Sequence, residues 1–200
     1  MDSHADKVRR PLDSKPVSPS MFAHFVLRTS NRDALRDWYL KVLNAHQVFE
    51  NDYIAFITYD DEHHRVAFVQ VPGLKKAPDD SWGLAHVAYT LADLGQLLST
   101  YRRLKADGIV PVRTINHGPT VSMYYKDPDG NRIELQVDNF PTAAHCNRWM
   151  QSGDFAANPI GVVFDPKALL ARYRAGEALE MLGARPALPD GASPFDMLRF

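Results

Sequence analysis

Two histidines occupy matching surroundings. Ala23-His24-Phe25-Val26 and Ala85-His86-Val87-Ala88 each open an apolar run, and the second histidine follows the first by 62 positions, from 24 to 86. A third candidate is Glu134, in Arg132-Ile133-Glu134-Leu135-Gln136-Val137. Its neighbours Ile133 and Leu135 are apolar, and period-2 alternation places Arg132, Glu134 and Gln136 on one face of a strand. Imidazole and carboxylate are ligands for divalent cations. Each residue alone has an ordinary alternative, a packed histidine or a glutamate on a solvated face. The repetition changes this, because a pseudo-twofold relation between two halves brings equivalent strands together and both imidazoles to one site. Arg65-Val66-Ala67-Phe68 matches Arg132-Ile133-Glu134-Leu135, so the first copy holds Ala67 where the second holds Glu134. Alanine cannot ligate. Two histidines and one carboxylate leave neighbouring coordination positions open, a composition that suits Fe(II) and its uptake of substrate and O2. Zinc or Mn(II) accepts the same donors, so the set alone does not decide the metal.

The elements that must carry these residues also repeat. With the offset of the histidines retained, Leu35, Tyr39 and Val42 fall on Leu97, Tyr101 and Leu104. That i, i+4, i+7 stripe predicts an amphipathic helix in each copy. Strand-like runs follow, Tyr53–Tyr59 and Val66–Val71 in the first copy, Val121–Tyr125 and Arg132–Val137 in the second. Asp127-Pro128-Asp129-Gly130-Asn131 supplies a tight hairpin turn, and Asn51-Asp52 and Asp60-Asp61 do similar work in the first copy. The reading is an α+β protein of two tandem βαβββ modules that form a partly closed β-sheet barrel around a metal site, with a C-terminal helical tail. The expected boundaries are a loose N-terminal arm over 1–20, modules over 21–71 and 83–138, a linker over 72–82 rich in Pro, Gly and charge, and a tail over 139–200. The tail holds one expected helix, Pro166 to Leu182, with Asp165 as N-cap and proline at its first position.

Composition bounds the partners. Lys plus Arg number 23 against 24 Asp plus Glu, so no bulk charge favours nucleic acid or an anionic membrane. Small molecules are the better expectation. No stretch reaches the roughly 20 apolar residues of a membrane helix, and the first twenty residues lack the apolar segment of a secretory signal. A single cysteine, Cys146, excludes an intramolecular disulfide framework and fits a reducing, cytoplasmic compartment. His4, His46 and His145 have no counterpart in the repeat and are expected at the surface.

The Ala-His strand openings, His63-His64-Arg65-Val66-Ala67-Phe68, and the run from Asn116-His117-Gly118-Pro119-Thr120 through Tyr124-Tyr125 and Asp127-Pro128-Asp129-Gly130-Asn131 to Glu134 together resemble the vicinal oxygen chelate superfamily. Within it, they are similar to the extradiol catechol dioxygenases related to biphenyl-2,3-diol 1,2-dioxygenase. The resemblance covers about 21–138. It implies a metal, Fe(II) with Mn(II) as an alternative, held by His24, His86 and Glu134, and a reaction of a small aromatic diol with O2. It further implies His64 as acid/base, Tyr124 as an active-site phenol ten positions before the ligand carboxylate, and His117 as a further site histidine whose spacing departs from the family pattern. A histidine near neutrality suits proton transfer from a diol hydroxyl, and phenol or imidazole donors suit stabilisation of developing negative charge. The chain resembles the short, single-pair forms, and the extra two-module half of larger relatives is not expected. A homo-oligomer is expected, and the tail after Phe140 is placed to cover either the site or a partner subunit. Two other readings stand beside this one: a glyoxalase-type metal-dependent isomerase or lyase, which uses four protein ligands, and a non-catalytic module that sequesters its ligand.

Overall fold

The computed structural model describes residues 16–76, 78 and 81–198. Most of the expected N-terminal arm, residues 1–15, lies outside them, and so does His4. The first copy runs β1 (Phe25–Thr29), α1 (Arg32–Leu43), β2 (His46–Glu50), β3 (Ile54–Thr58) and β4 (Val66–Gln70); the second runs β5 (Val87–Thr90), α2 (Leu94–Ala106), β6 (Arg113–Asn116), β7 (Thr120–Lys126) and β8 (Arg132–Asp138). Both are βαβββ units. The first sheet has the order β1-β4-β3-β2, and the second has β5-β8-β7-β6 with one further strand, β9 (Val162–Val163), beside β6. In each sheet the first strand pairs in parallel with the fourth, and the remaining pairs are antiparallel. The sheets do not close into a continuous barrel. They remain two ladders joined through a common core.

That core follows from the helical stripes. Leu35, Tyr39 and Val42 of α1 and Leu97, Tyr101 and Leu104 of α2 are all buried, together with Phe68, Met123, Ile133 and Leu135 from the sheets. The helices also meet end to side. Arg103 of α2 donates to the carbonyl oxygens of Lys41 (2.5 Å) and Val42 (3.2 Å), satisfying acceptors that the last turn of α1 leaves open. At the seam the Tyr89 ring lies 6.5 Å from Phe25 and 5.8 Å from Tyr59.

The turns have the chemistry expected of them. Asn51 Oδ1 accepts from the amides of Tyr53 (2.9 Å) and Ile54 (3.0 Å) between β2 and β3. Between β7 and β8 the Asp127 carboxylate accepts from the amides of Asp129 (3.0 Å) and Asn131 (2.8 Å) and from Asn131 Nδ2 (2.9 Å), while Gly130 takes the positive φ of 93°. Its fourth donor comes from the other module, Tyr39 Oη at 3.2 Å. Burial raises the Asp127 carboxyl above its ordinary value, opposed by the bonds from Asn131 and Tyr39.

The tail differs from the sequence expectation. It adds α3 (Ala143–Met150), α4 (Gly153–Ala157) and β9 before the expected helix, and that helix is two: α5 (Pro166–Arg174) and α6 (Leu179–Gly183). Asp165 caps α5, accepting from the Lys167 amide at 2.8 Å with proline in the first turn. Gly176, at φ 79°, ends it in a left-handed conformation that continued apolar spacing does not reveal. A 3-10 turn, Pro194–Leu198, follows α6. Among the described residues no helix is long and apolar enough to cross a membrane.

Because Asp127 is 5% exposed and gathers four donors from two modules, Asp127→Ala is expected to lose about 2–4 kcal/mol in urea unfolding. A loss below about 0.5 kcal/mol would show that this carboxylate does not tie the modules together.

Candidate active site

The strand registers place one row of side chains across each sheet. In the second, Ala88 lies opposite Glu134, Glu134 opposite Tyr124, and Tyr124 opposite Arg113. In the first, the same path reads Val26, Ala67, Phe56 and Phe49. Directly opposed residues share a face, so matched faces of the duplicated unit are apolar in one copy and chemically equipped in the other. His24 stands two positions before Val26 and His86 two before Ala88. Both sequence offsets are therefore expressed in the ladders.

Glu134 is the centre of the second row. It lies in mid-strand and is 5% exposed; Oε2 is 3.0 Å from His86 Nε2, and Oε1 faces His117 Nε2 at 3.9 Å, beyond hydrogen-bond reach. Burial works to raise its carboxyl. The hydrogen bonds from His86 and Ser122, with the nearby histidines, outweigh this and leave it below the ordinary value. Ser122, wholly buried, is in turn 3.0 Å from Thr120 Oγ1. Tyr124 Oη lies 2.8 Å from His117 Nε2, and the His86 ring stands edge-on to Tyr124 at 5.3 Å and 81°. Burial and the Glu134 charge push the Tyr124 phenol upward, so it remains a protonated donor at neutral pH. His117 is shifted the other way, chiefly by burial, and its Nδ1 hydrogen-bonds the carbonyl oxygen of Ile160 in the tail.

A second cluster lies at the start of β1. The His24 ring is 4.2 Å from His64, and His64 is stacked on Phe56 at 4.4 Å and 12°. His63 Nδ1 and His64 Nδ1 are 2.6 Å apart, one donating to the other. Burial, then the neighbouring His24 and His63, lower His64 from the ordinary imidazole value. Arg65 ties this end of the strand down by donating to the carbonyls of Phe22 (2.5 Å) and Ala23 (3.0 Å), while Asp60 holds its guanidinium at 2.9 Å.

The structure thus gathers His86, Glu134, Tyr124 and His117, and places His24 with His64. It does not bring His24 to Glu134: among the described residues no three His, Cys, Asp or Glu side chains are gathered closely enough to hold a metal. The reason is local. Glu134 is already bonded by His86 and Ser122, whereas His24 precedes the first hydrogen-bonded residue of β1, is exposed, and packs on the nearest rings. Residues missed by sequence reasoning are Ser122, detectable by its alternation with Tyr124, and Arg113, which only the β6–β7 register reveals. His46 and His145 are exposed.

The loop after His117 is tightly enclosed. Gly118 has φ 95°, its amide donates to Asn116 Oδ1 (2.9 Å), and Asn139 Nδ2 donates to its carbonyl (2.8 Å). A cavity of about 910 Å³ lies between this loop and the tail, lined by Gly118, Phe140, Trp149 and Leu188 among others; His86, Tyr124 and Glu134 do not line it.

The sequence model of the Glyoxalase/Bleomycin resistance protein/Dioxygenase superfamily matches residues 21–135. The chain is 46% identical over 162 residues to biphenyl-2,3-diol 1,2-dioxygenase 2 of Rhodococcus globerulus and 44% identical over 162 residues to biphenyl-2,3-diol 1,2-dioxygenase 3 of that organism; each alignment covers 80% of this chain and 85% of the relative. Among solved structures, a glyoxylase/bleomycin resistance protein/dioxygenase domain from Frankia sp. superposes with a TM-score of 0.53 at 17% identity, over 64% of this chain and 99% of that one. This last likeness concerns the fold.

A Cβ at Gly118 would stand 2.2 Å from Trp149 Cη2, on a backbone that side chains rarely adopt. Gly118→Ala is therefore expected to lower stability by about 2 kcal/mol or more, read as a fall in the thermal midpoint with altered Trp fluorescence. An unchanged midpoint would mean that the loop is not locked.

Proposed function

Because the chain belongs to the Glyoxalase/Bleomycin resistance protein/Dioxygenase superfamily, we propose that it cleaves the ring of a catechol-type aromatic diol with O2 at a divalent metal, Fe(II) with Mn(II) as the alternative. The names of its relatives from Rhodococcus globerulus support the reaction class. One observation carries the assignment to this site: a buried carboxylate, Glu134, in contact with His86 and flanked by Tyr124 and His117, on the one module that has these groups.

The donors suit a cation. His86 Nε2 and Glu134 Oε2, 3.0 Å apart, are an imidazole and a carboxylate of the kinds that bind divalent metals, and would hold the ion in place of the hydrogen bond between them. His24, the counterpart of His86 in the first module, would be the third donor of the proposal, although its ring here packs on His64, 4.2 Å away, and not beside Glu134. Its support is the matched register, with Val26 opposite Ala67 and Ala88 opposite Glu134. When bound, the metal supplies Lewis acidity toward the diol hydroxyls and redox contact with O2.

The protein's own groups do the rest. His64, held neutral by burial and by the adjacent imidazoles, receives a hydroxyl proton and later returns it. Tyr124, kept protonated, offers its O–H toward negative charge that develops on oxygen during cleavage. His117 orients that phenol through the 2.8 Å contact. A four-ligand isomerase of glyoxalase type is the weaker reading, since Ala67 occupies the position where the first module would supply its carboxylate.

The test is anaerobic reconstitution with Fe(II), and with Mn(II) in parallel, followed by a panel of catechols under O2. Cleavage beside the diol should give a yellow product with matching O2 uptake. A metal-loaded protein that consumes no O2 with any diol would contradict the proposal. His64→Phe should lower kcat about 10²–10⁴-fold with metal retained, whereas His86→Ala should lose both metal and turnover.

A further inference from the structure

The tail beyond the matched segment meets the His117 ring, and the contact has a chemical consequence. The partner of His117 Nδ1 is the carbonyl oxygen of Ile160. A carbonyl can only accept, so Nδ1 carries the proton. In the neutral ring Nε2 is then the lone-pair nitrogen, and Nε2 is the atom that faces Tyr124 Oη at 2.8 Å and Glu134 Oε1 at 3.9 Å. That lone pair is an acceptor beside the phenol, whose single proton also has the Glu134 carboxylate within reach.

Ile160 is placed by a turn with little freedom. Asn158, 5% exposed, accepts through Oδ1 from the amides of Ile160 (3.2 Å) and Gly161 (2.8 Å) and donates through Nδ2 to the Gly161 carbonyl (3.0 Å). Gly161, at φ 113°, approaches so closely that a Cβ would lie 2.4 Å from the Asn116 carbonyl oxygen and 2.7 Å from His117 Cα. The next residues, Val162 and Val163, pair with Asn116 and Ile115 as β9 on β6. One cation joins the turn to the histidine it serves. Arg185 donates from Nη1 to the Asn158 carbonyl (2.6 Å) and to the carbonyl of His117 itself (3.3 Å), and from Nη2 to the Asp154 carbonyl (2.9 Å). Its guanidinium lies 5.1 Å from the centre of the Trp149 ring.

We propose that Arg185 is a positioning residue for His117: by bridging the backbone of His117 to that of the 158–161 turn, it holds the Ile160 carbonyl on Nδ1 and fixes the tautomer whose Nε2 lone pair faces Tyr124. A guanidinium does this because its planar fork reaches several carbonyls at once while its face stacks on an aromatic ring. An ammonium presents a single point and does neither as well. The effect on turnover rests on the role proposed for His117 and Tyr124; the tautomer does not.

The experiment is long-range ¹H–¹⁵N NMR of the metal-free full-length protein labelled in histidine, at about pH 8, above the ordinary imidazole range. The His117 signals are assigned with His117→Gln. Wild type should show His117 protonated at Nδ1. Arg185→Gln should give a mixture with the Nε2-protonated form, and Arg185→Lys, which keeps the charge and disturbs folding least, should show the same mixture. In Fe(II)-loaded protein both variants should lose about 10-fold or more in kcat for diol cleavage, with metal content and KM unchanged. Wild-type His117 protonated at Nε2, or an unaltered Nδ1–H spectrum in a folded Arg185→Lys protein, would overturn the inference. If the tautomer shifts as expected while wild type cleaves no diol, the assigned reaction fails and the role of Arg185 in setting the tautomer stands.

Discussion

A carboxylate that is 5% exposed in the middle of a β-strand has lost most of its hydration, and burial of an ionised group is tolerated only when partners replace the lost water. Glu134 has two such partners, His86 from the start of β5 and Ser122 from β7, and His117 from the end of β6 stands 3.9 Å from its other oxygen. Each partner is itself constrained, Ser122 by Thr120 and His117 by Tyr124 and the Ile160 carbonyl. The position of this one charge thereby organises the polar face of the second sheet.

The duplication explains how one half of a symmetric unit can be specialised. On the helix side the copies remain alike, since Leu35, Tyr39 and Val42 and their counterparts Leu97, Tyr101 and Leu104 all enter one core, where volume and shape are jointly constrained. On the opposite face the constraint is weaker. There the first copy carries Val26, Ala67, Phe56 and Phe49, and the second Ala88, Glu134, Tyr124 and Arg113. The strand geometry is the same in both. Only the side chains placed on it differ, so a scaffold position and its chemistry are separable.

The tail takes part in the site and is not a mere appendage. Beyond β8 it supplies β9 to cover the edge of β6, Leu169 and Leu182 to the core, and the turn that meets His117. Edge strands have unpaired backbone groups, and β2, the counterpart of β6, has none of this cover among the described residues. The asymmetry of the two modules therefore extends from their side chains to what is packed against them.

What the sequence determined by itself was everything that recurs at a local period. The helical stripes at offset 62, the Asp-Pro-Asp-Gly-Asn turn, the Asp165 cap, and the substitution of Ala67 for Glu134 are set by neighbours a few positions apart or by comparison of the two copies. The division of the expected 166–182 helix at Gly176, the strand β9, the grouping of His24 with His64 in place of Glu134, and the reach of Arg185 back to His117 were decided only by tertiary structure. These depend on which backbone carbonyls and rings stand nearby after the chain has folded. Periodicity specifies which face a residue lies on; it has no means of specifying what that face meets.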